Sequence, residues 1–401
     1  MNRFLHGHAT HPDWRAALAL AAAQIDAQQQ AAERAGDVDA ATLGFAYFSD
    51  HYAAHAAELL AALRQRWPGV AWVGAVGVGV SASGVEYFDQ PALALMLAPL
   101  PASHFRVFSG AQPLAGFAAY TALVHADGQT HDLAELIDDM SARTTSGYLF
   151  GGLAVSRSAA WHLADGAWQG GLSGVAFSRD VALVSRVTQG CQPVGPVRRI
   201  TACDRNLVTG LDGLPALDLL LADLGVSLDD PRTLLPRLRA TLAGLSDASD
   251  TALSRGGQFG GDTRVRHLIG LDVAARGVAL ADSVQCGMQL AFCQRDVQAA
   301  RRDLVRICTE IREELAPEQV AAASGTTESE PEDPTTRIAG AIYISCAGRG
   351  GPHFGAPSAE LLAVRQALGD VPLAGFFAAG EIGHHHLYGY TGVLTVFTRA
   401  A

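Results

Sequence analysis

Residues 60–79 read LAALRQRWPGVAWVGAVGVG, and residues 361–380 read LLAVRQALGDVPLAGFFAAG. Set side by side without a gap, Leu60/Leu361, Ala62/Ala363, Arg64/Arg365, Gln65/Gln366, Val70/Val371, Gly74/Gly375 and Gly79/Gly380 are identical. Each copy reads as a short amphipathic helix, a Pro or Gly break, and an apolar strand that runs into glycines. An apolar strand precedes each one, FAYFS at 45–49 and AIYIS at 341–345, and another follows at 93–97 and 393–397. A weaker third copy occupies 105–184. There FRVFSG is the first strand, LAELIDDMSAR the helix, YLFGGLAVS the glycine-ended strand, and GLSGVAFSRDVALVS the remainder. A β-α-β-β unit used at least three times predicts an α/β (α+β layered) fold, with packed sheets flanked by helices.

Between the repeats the character changes. Residues 190–212 are rich in turn formers and suit a domain junction followed by a hairpin. Residues 214–224 and 231–246 carry Leu at helical spacing, 265–270, 278–281 and 288–292 read as strands, and 295–315 is a long helix opened by Asp296. The acidic segment 321–336 (AAASGTTESEPEDPTT) has the composition of a disordered, dispensable surface loop. Two linked domains are expected, 1–195 and 196–401.

Composition narrows the function. The chain has 401 residues, 49% hydrophobic and 17% charged, which suits well-filled globular cores. All 29 basic residues are Arg. Without Lys, the chain is not a P-loop ATPase, a protein kinase or a pyridoxal-phosphate enzyme, each of which needs a Lys at a fixed chemical station. A net charge of −11 argues against nucleic acid as a partner. The Ala-rich stretch 16–25 lies between Arg15 and Asp26 and is too short for a membrane span, which needs about 20 apolar residues. With no signal-peptide pattern at the start, the expected location is cytoplasmic. The six Cys (191, 203, 286, 293, 308 and 346) form no C-x-x-C pair and read as buried thiols in a reducing compartment.

Two loops that follow strands of the last repeat stand out, CAGRGGPHFG at 346–355 and GEIGHHH at 380–386. Arg349 can grip a carboxylate in a planar fork, and Glu381 can take an ammonium group. Val80 stands where the other copy has Glu381, so the carboxylate is specific to the C-terminal copy. The loops suggest a small-molecule site made of Arg349, Glu381, Cys346, Gly350 and Gly380. Ser81, in the glycine-rich segment 74–84, joins it as a second backbone-rich approach to a ligand. The bland alternative is that Arg349 and Glu381 only pair with each other. No metal site is expected: His6, His8 and His11 sit at a terminus read as mobile, and His51 and His55 lack an HExxH pattern. No G-x-S-x-G elbow is present, so a hydrolase-like enzyme using Glu381 or Cys346, with Ser81 or Ser83 as other nucleophiles, is the weaker alternative to a binding protein.

At these residues the chain resembles the FIST family. The resemblance lies in VGAVGVGVSASG of the N-terminal half, and in VGPVRRITACDRNLVTGLDGLPALDLL, RHLIGLDVAARGVALADSVQCGMQLAFCQRD, SCAGRGGPHFG and PLAGFFAAGEIG of the C-terminal half. It implies two linked FIST domains acting as a sensory input module that binds a small, amino-acid-like ligand and signals through a partner protein. Some stand-alone members resemble haem-based nitric-oxide sensors that act on a histidine kinase. In that version haem b is the cofactor, His353 or His384 the axial ligand, and Arg349 a partner for a propionate.

Overall fold

The computed structural model describes residues 3–36, 39–247, 263–316 and 333–399. Much of segment 321–336 therefore lies outside the described residues; its end, from Asp333, forms a capped turn over Pro334–Arg337 in which Asp333 accepts from the Thr335 amide. The chain divides into two compact units. The first comprises 1–188, 304–387 and 391–401, and the second comprises 189–303 and 388–390. This cut leaves both chain ends in one unit, whereas 195/196 divides the sequence into successive halves.

In chain order the first unit begins with β1 (Leu5–Thr10) and α1 (Trp14–Arg34), then β2 (Leu43–Ser49), α2 (Ala56–Arg66) and β3 (Ala71–Gly77). A hairpin of β4 (Gly79–Ala82) and β5 (Val85–Phe88) and a return strand β6 (Ala92–Ala98) complete the copy. The second copy repeats the plan with β7 (Phe105–Phe108), β8 (Thr121–Asp127), α3 (Leu133–Ala142) and β9 (Tyr148–Ala154). Its hairpin is β10 (His162–Ala164) with β11 (Ala167–Trp168), and its return strand is β12 (Leu172–Phe177). The third copy opens with β13 (Leu183–Thr188).

The second unit is then inserted. It contains β14 (Cys191–Pro193), β15 (Arg198–Asp204), β16 (Leu207–Leu211), β17 (Leu214–Pro215), α4 (Ala216–Leu224), α5 (Pro231–Ala240), β18 (Thr241–Ser246), β19 (Arg264–Asp272), β20 (Gly277–Leu280) and β21 (Gln289–Arg295). These strands pair into one sheet that closes on itself, because β21 pairs with β15 on one side and with β18 on the other. α6 (Val297–Leu315) follows, opened as expected by Asp296, which accepts from the Ala299 amide at 2.6 Å. The third copy resumes with β22 (Ile338–Cys346), α7 (Ala359–Leu368), β23 (Leu373–Ala378), a hairpin of β24 (Glu381–His384) and β25 (His386–Tyr388), and β26 (Gly392–Thr398).

The sheets of the first unit show how the copies are joined. Each has six strands among the described residues, in the orders β1-β6-β2-β3-β10-β11, β7-β12-β8-β9-β24-β25 and β13-β26-β22-β23-β4-β5. Every copy thus keeps four of its own strands together and lends its hairpin to another. The first lends to the third, the second to the first, and the third to the second, which closes a cycle. A hairpin alone is marginal in water, so each lent hairpin is stabilised only when its acceptor sheet is present.

Registers confirm the equivalence. The parallel pairs place Gly74 opposite Ala46, Gly151 opposite Val124, and Gly375 opposite Tyr343. One residue further, Tyr47, His125 and Ile344 are all fully buried, and the Tyr47 ring stacks on Phe376 at 5.2 Å. The Tyr47 hydroxyl lies 3.2 Å from Nε2 of His125, whose pKa burial pushes down to about 3. The three sheets also converge on Phe397, whose ring lies 5.7 Å from Phe45 and 5.6 Å from Phe177.

Several local readings change. FRVFSG is an outer strand equivalent to β1 and β13; the strand of its copy that matches FAYFS and AIYIS is β8, and β13 belongs to the copy that follows. Residues 241–246 are not helical. The helix ends before Thr241, whose backbone is extended, and all of β18 is buried between β19 and β21. The N-terminus is not mobile where His6 and His8 stand, because β1 pairs with β6 along its whole length. Gln28 and Gln24 of α1 also bond to the His6 and His8 backbones.

Leu60 and Leu361 occupy matching buried positions on α2 and α7, 4% and 0% exposed. Truncating either to Ala is expected to lower stability by about 2–5 kcal/mol, the usual cost of a cavity at a buried Leu. Urea unfolding of the two variants, followed by far-UV circular dichroism, measures it. A loss well below that range at both positions contradicts the equivalence.

Candidate functional site

The site lies at the carboxyl ends of β22 and β23, the end where open α/β sheets characteristically place ligands. β22 runs out at Ser345 and Cys346. The chain then turns tightly, with the Ala347 amide donating to Ala378 O and the Arg349 amide donating back to Cys346 O, both at 2.8 Å. Gly350 packs closely at this turn: a Cβ there would fall 2.1 Å from the Phe88 ring and 3.0 Å from that of Phe377, so a larger residue would displace the Phe88 ring. The Arg349 side chain is thereby directed inward, where it is fully buried over the Phe354 ring.

Its partner is Glu360 in the first turn of α7. Nε and Nη2 of Arg349 donate to Oε1 of Glu360 at 3.0 and 2.7 Å, and neither side chain is exposed. Tyr343 donates its hydroxyl to the same oxygen at 2.6 Å, and Ser345 donates to Oε2 at 3.0 Å. Glu86 approaches from β5, its Oε1 accepting from the Glu360 and Leu361 amides at 2.9 and 3.2 Å and so satisfying orphan donors of the helix start. Burial, and then the Glu360 charge, push the Glu86 carboxyl up to about 7. Tyr343, Gly375, Ser81 and Glu86 are successive cross-strand partners, so they share one face of their sheet. The Ser81 hydroxyl in this row is fully buried and makes no hydrogen bond.

Glu381 opens β24 and is fully buried. Its Oε2 accepts from the Thr391 amide and hydroxyl at 3.2 and 2.6 Å, while Oε1 makes no hydrogen bond. Burial dominates and raises its pKa to about 8, against the opposing pull of Thr391, Arg349 and Cys346. The carboxyl is therefore protonated at neutral pH. Cross-strand registers make Val80, His162 and Glu381 the equivalent positions of the three copies. His162 is also buried, with Nδ1 2.6 Å from the Ser173 hydroxyl.

The structure thus brings Arg349, Glu381 and Cys346 into one buried cluster. Ser81 lies in the polar row, and Gly350 and Gly380 are buried in the two turns, with Gly380 O accepting from the Leu153 amide. Arg349 pairs with Glu360, a residue absent from the sequence-based site. A signal for it existed: Glu360 stands where the other copy has Leu59, on the buried face of the helix. His353 is half-buried beside Phe354, and His384 is exposed beside Tyr148 at a positive φ. These residues do not fit haem. The guanidinium assigned to a propionate is enclosed and bonded to Glu360, and the strand ends present a buried carboxyl where a porphyrin face needs apolar cover. No group of three or more metal-ligating side chains occurs among the described residues.

A cavity of about 810 Å³ opens elsewhere, at the amino ends of β2 and β3 between His6, Gln28, Trp67 and Asp370. Burial holds the His6 pKa down at about 4, so its imidazole is neutral at physiological pH.

The buried acids set a pH dependence. Glu86 and Glu381 have native pKa values above the unfolded value, so the native state holds more protons between about pH 4.5 and pH 8. Stability is accordingly full below pH 4.5 as far as these groups are concerned, and falls as pH rises through 8. Glu381→Gln is expected to flatten the decline, read as melting temperature across that window; an unchanged slope contradicts the assignment.

A layered α/β unit repeated three times, with a buried ionisable cluster at its strand ends, defines the class. Two models match in tandem, the FIST N domain over 42–214 and the FIST C domain over 216–384, and the chain belongs to the FIST family. FIST domains are associated with sensory signal transduction. The chain is similar to the uncharacterized protein Rv0628c of Mycobacterium tuberculosis, 29% identical over 424 aligned positions that cover 98% of each chain. It is also similar to the uncharacterized protein Mb0898c of Mycobacterium bovis, 31% identical over 227 positions that cover 53% of this chain and 49% of that one. Among the described residues no helix is long and apolar enough to cross a membrane.

Proposed function

We propose that the protein is a sensory module whose first unit binds a small amino-acid-like ligand at the strand ends of β22 and β23, and which signals through a partner protein such as a histidine kinase. The role is binding and not catalysis. The observation that carries the reading is Glu381, a fully buried carboxyl with one oxygen lacking any hydrogen bond. A buried polar atom left unpaired costs about 1–3 kcal/mol, which a ligand's ammonium group would recover. Ser81 offers a second unpaired atom in the neighbouring row.

Entry requires the turn at 347–350 to move, because Arg349 closes the cluster by its bonds to Glu360. Displacement of this turn is the conformational change passed to the partner. An ammonium group favours the ionised carboxylate, so binding below pH 8 releases a proton from Glu381. Affinity therefore tightens as pH rises toward 8. Isothermal titration with a panel of free amino acids, in buffers of differing ionisation enthalpy, tests this. Binding with proton release that is lost in Glu381→Gln supports the proposal. Binding that survives in Glu381→Gln, or no binding by any amino acid, removes it.

A further inference from the structure

Four of the six cysteines lie in the inserted unit, and they form two pairs. Cys191 and Cys293 are buried, and the Cys191 thiol, together with burial, raises the Cys293 pKa. Cys203 and Cys286 differ. Cys203 is half-buried near the end of β15, Cys286 is exposed in the turn between β20 and β21, and their sulfurs lie 3.3 Å apart. The expectation of uniformly buried thiols fails for this pair.

The backbone builds the approach. The Val284 amide donates to Arg205 O at 2.8 Å, and the Gly287 amide donates to Ile200 O at 2.9 Å. The Ile200 amide donates to Met288 O at 2.8 Å. These three bonds fix the turn that carries Cys286 against the β15–β16 hairpin. A register irregularity at Ala202/Cys203 sits in the same hairpin. The thiols are therefore held in contact by bonds that do not involve them.

We propose that Cys203 and Cys286 are a reversible redox-modification site that senses peroxide-class oxidants. The exposed Cys286 thiolate attacks a peroxide oxygen, the O–O bond breaks, and hydroxide leaves to be protonated to water, giving a sulfenic acid. The Cys203 sulfur then attacks the Cys286 sulfur, an S–S bond forms, and the sulfenic hydroxyl leaves as water after taking the Cys203 proton. Overall two thiols lose two electrons and two protons, and one hydrogen peroxide becomes two waters. A dithiol reverses the modification by exchange. The product ties β15 to the turn before β21.

The test uses the full reduced chain treated with hydrogen peroxide, then alkylated, digested and mapped by mass spectrometry. A peptide linking Cys203 to Cys286 is expected as the main product, lost on treatment with dithiothreitol. In Cys203→Ser the resolving thiol is gone, so the Cys286 sulfenic acid should persist and be trapped by dimedone. The buried Cys191 and Cys293 should be alkylated only after unfolding, which also verifies that the variant is folded. If Cys286 oxidises without linking to Cys203, or the link forms at no higher yield than links to other cysteines, the proposal is wrong.

Discussion

Gly375→Ala should prevent the chain from reaching its native state, at a cost above about 4 kcal/mol, the range reserved for severe steric or burial defects. The reason is backbone proximity. A Cβ at Gly375 would lie 1.7 Å from the carbonyl oxygen of Tyr343 on the parallel neighbour β22. Nothing flexible is available to yield, since the obstructing atom belongs to a strand buried along its whole length. Gly74 and Gly151 meet the same obstacle, at 1.8 Å from Ala46 O and 1.8 Å from Val124 O. The three Ala variants should therefore behave alike. Gly110→Ala serves as the control, since a Cβ there meets nothing within 4 Å. Soluble yield and urea unfolding distinguish them; a near-neutral effect at all three glycines would refute the close approach.

Removing the Glu360 carboxylate should cost about 3–5 kcal/mol, because Arg349 would be left as an uncompensated charge in the interior. Arg349 and Glu360 are both fully enclosed, and Tyr343 and Ser345 also lose their acceptor when the carboxylate goes. Glu360→Gln keeps the shape and part of the hydrogen bonding, so it should lose less than Glu360→Ala. The double variant Arg349→Met/Glu360→Leu removes both charges and should recover much of the loss, since apolar replacement of a buried pair is often tolerated. Denaturant midpoints of the four proteins decide it. A double variant no better than Glu360→Ala would show that packing, and not the unpaired charge, dominates.

The two effects differ in how visible their causes are in the sequence. Gly74 and Gly375 align in the repeat, because a glycine where two parallel backbones nearly touch cannot be exchanged for another residue. Gly151 is harder to find: its parallel neighbour is β8, whose TALVHAD mixes a His into an apolar run and reads less clearly as a strand. Glu360 was legible only as a departure, a carboxylate where the other copy carries Leu59. Its bond to Arg349 joins a loop to a helix, and spacing along the chain carries no information about which acid a buried cation will find.

What the sequence by itself determined were most of the local elements and the repeat, with 241–246 the exception. Helical and strand periodicity, glycine-ended strands and the Asp296 helix start depend on neighbours a few residues apart, and side-chain pattern reports those directly. The tertiary structure alone decided that each hairpin crosses to another copy's sheet. A strand such as β4, β10 or β24 satisfies its backbone bonds at any complementary edge, so its sequence does not name the acceptor. The same reason governs the site: Glu381 and Arg349 could be read as a charged pair of loops, but their enclosure, and the choice of Glu360 and Thr391 as partners, follow from which sheets pack together.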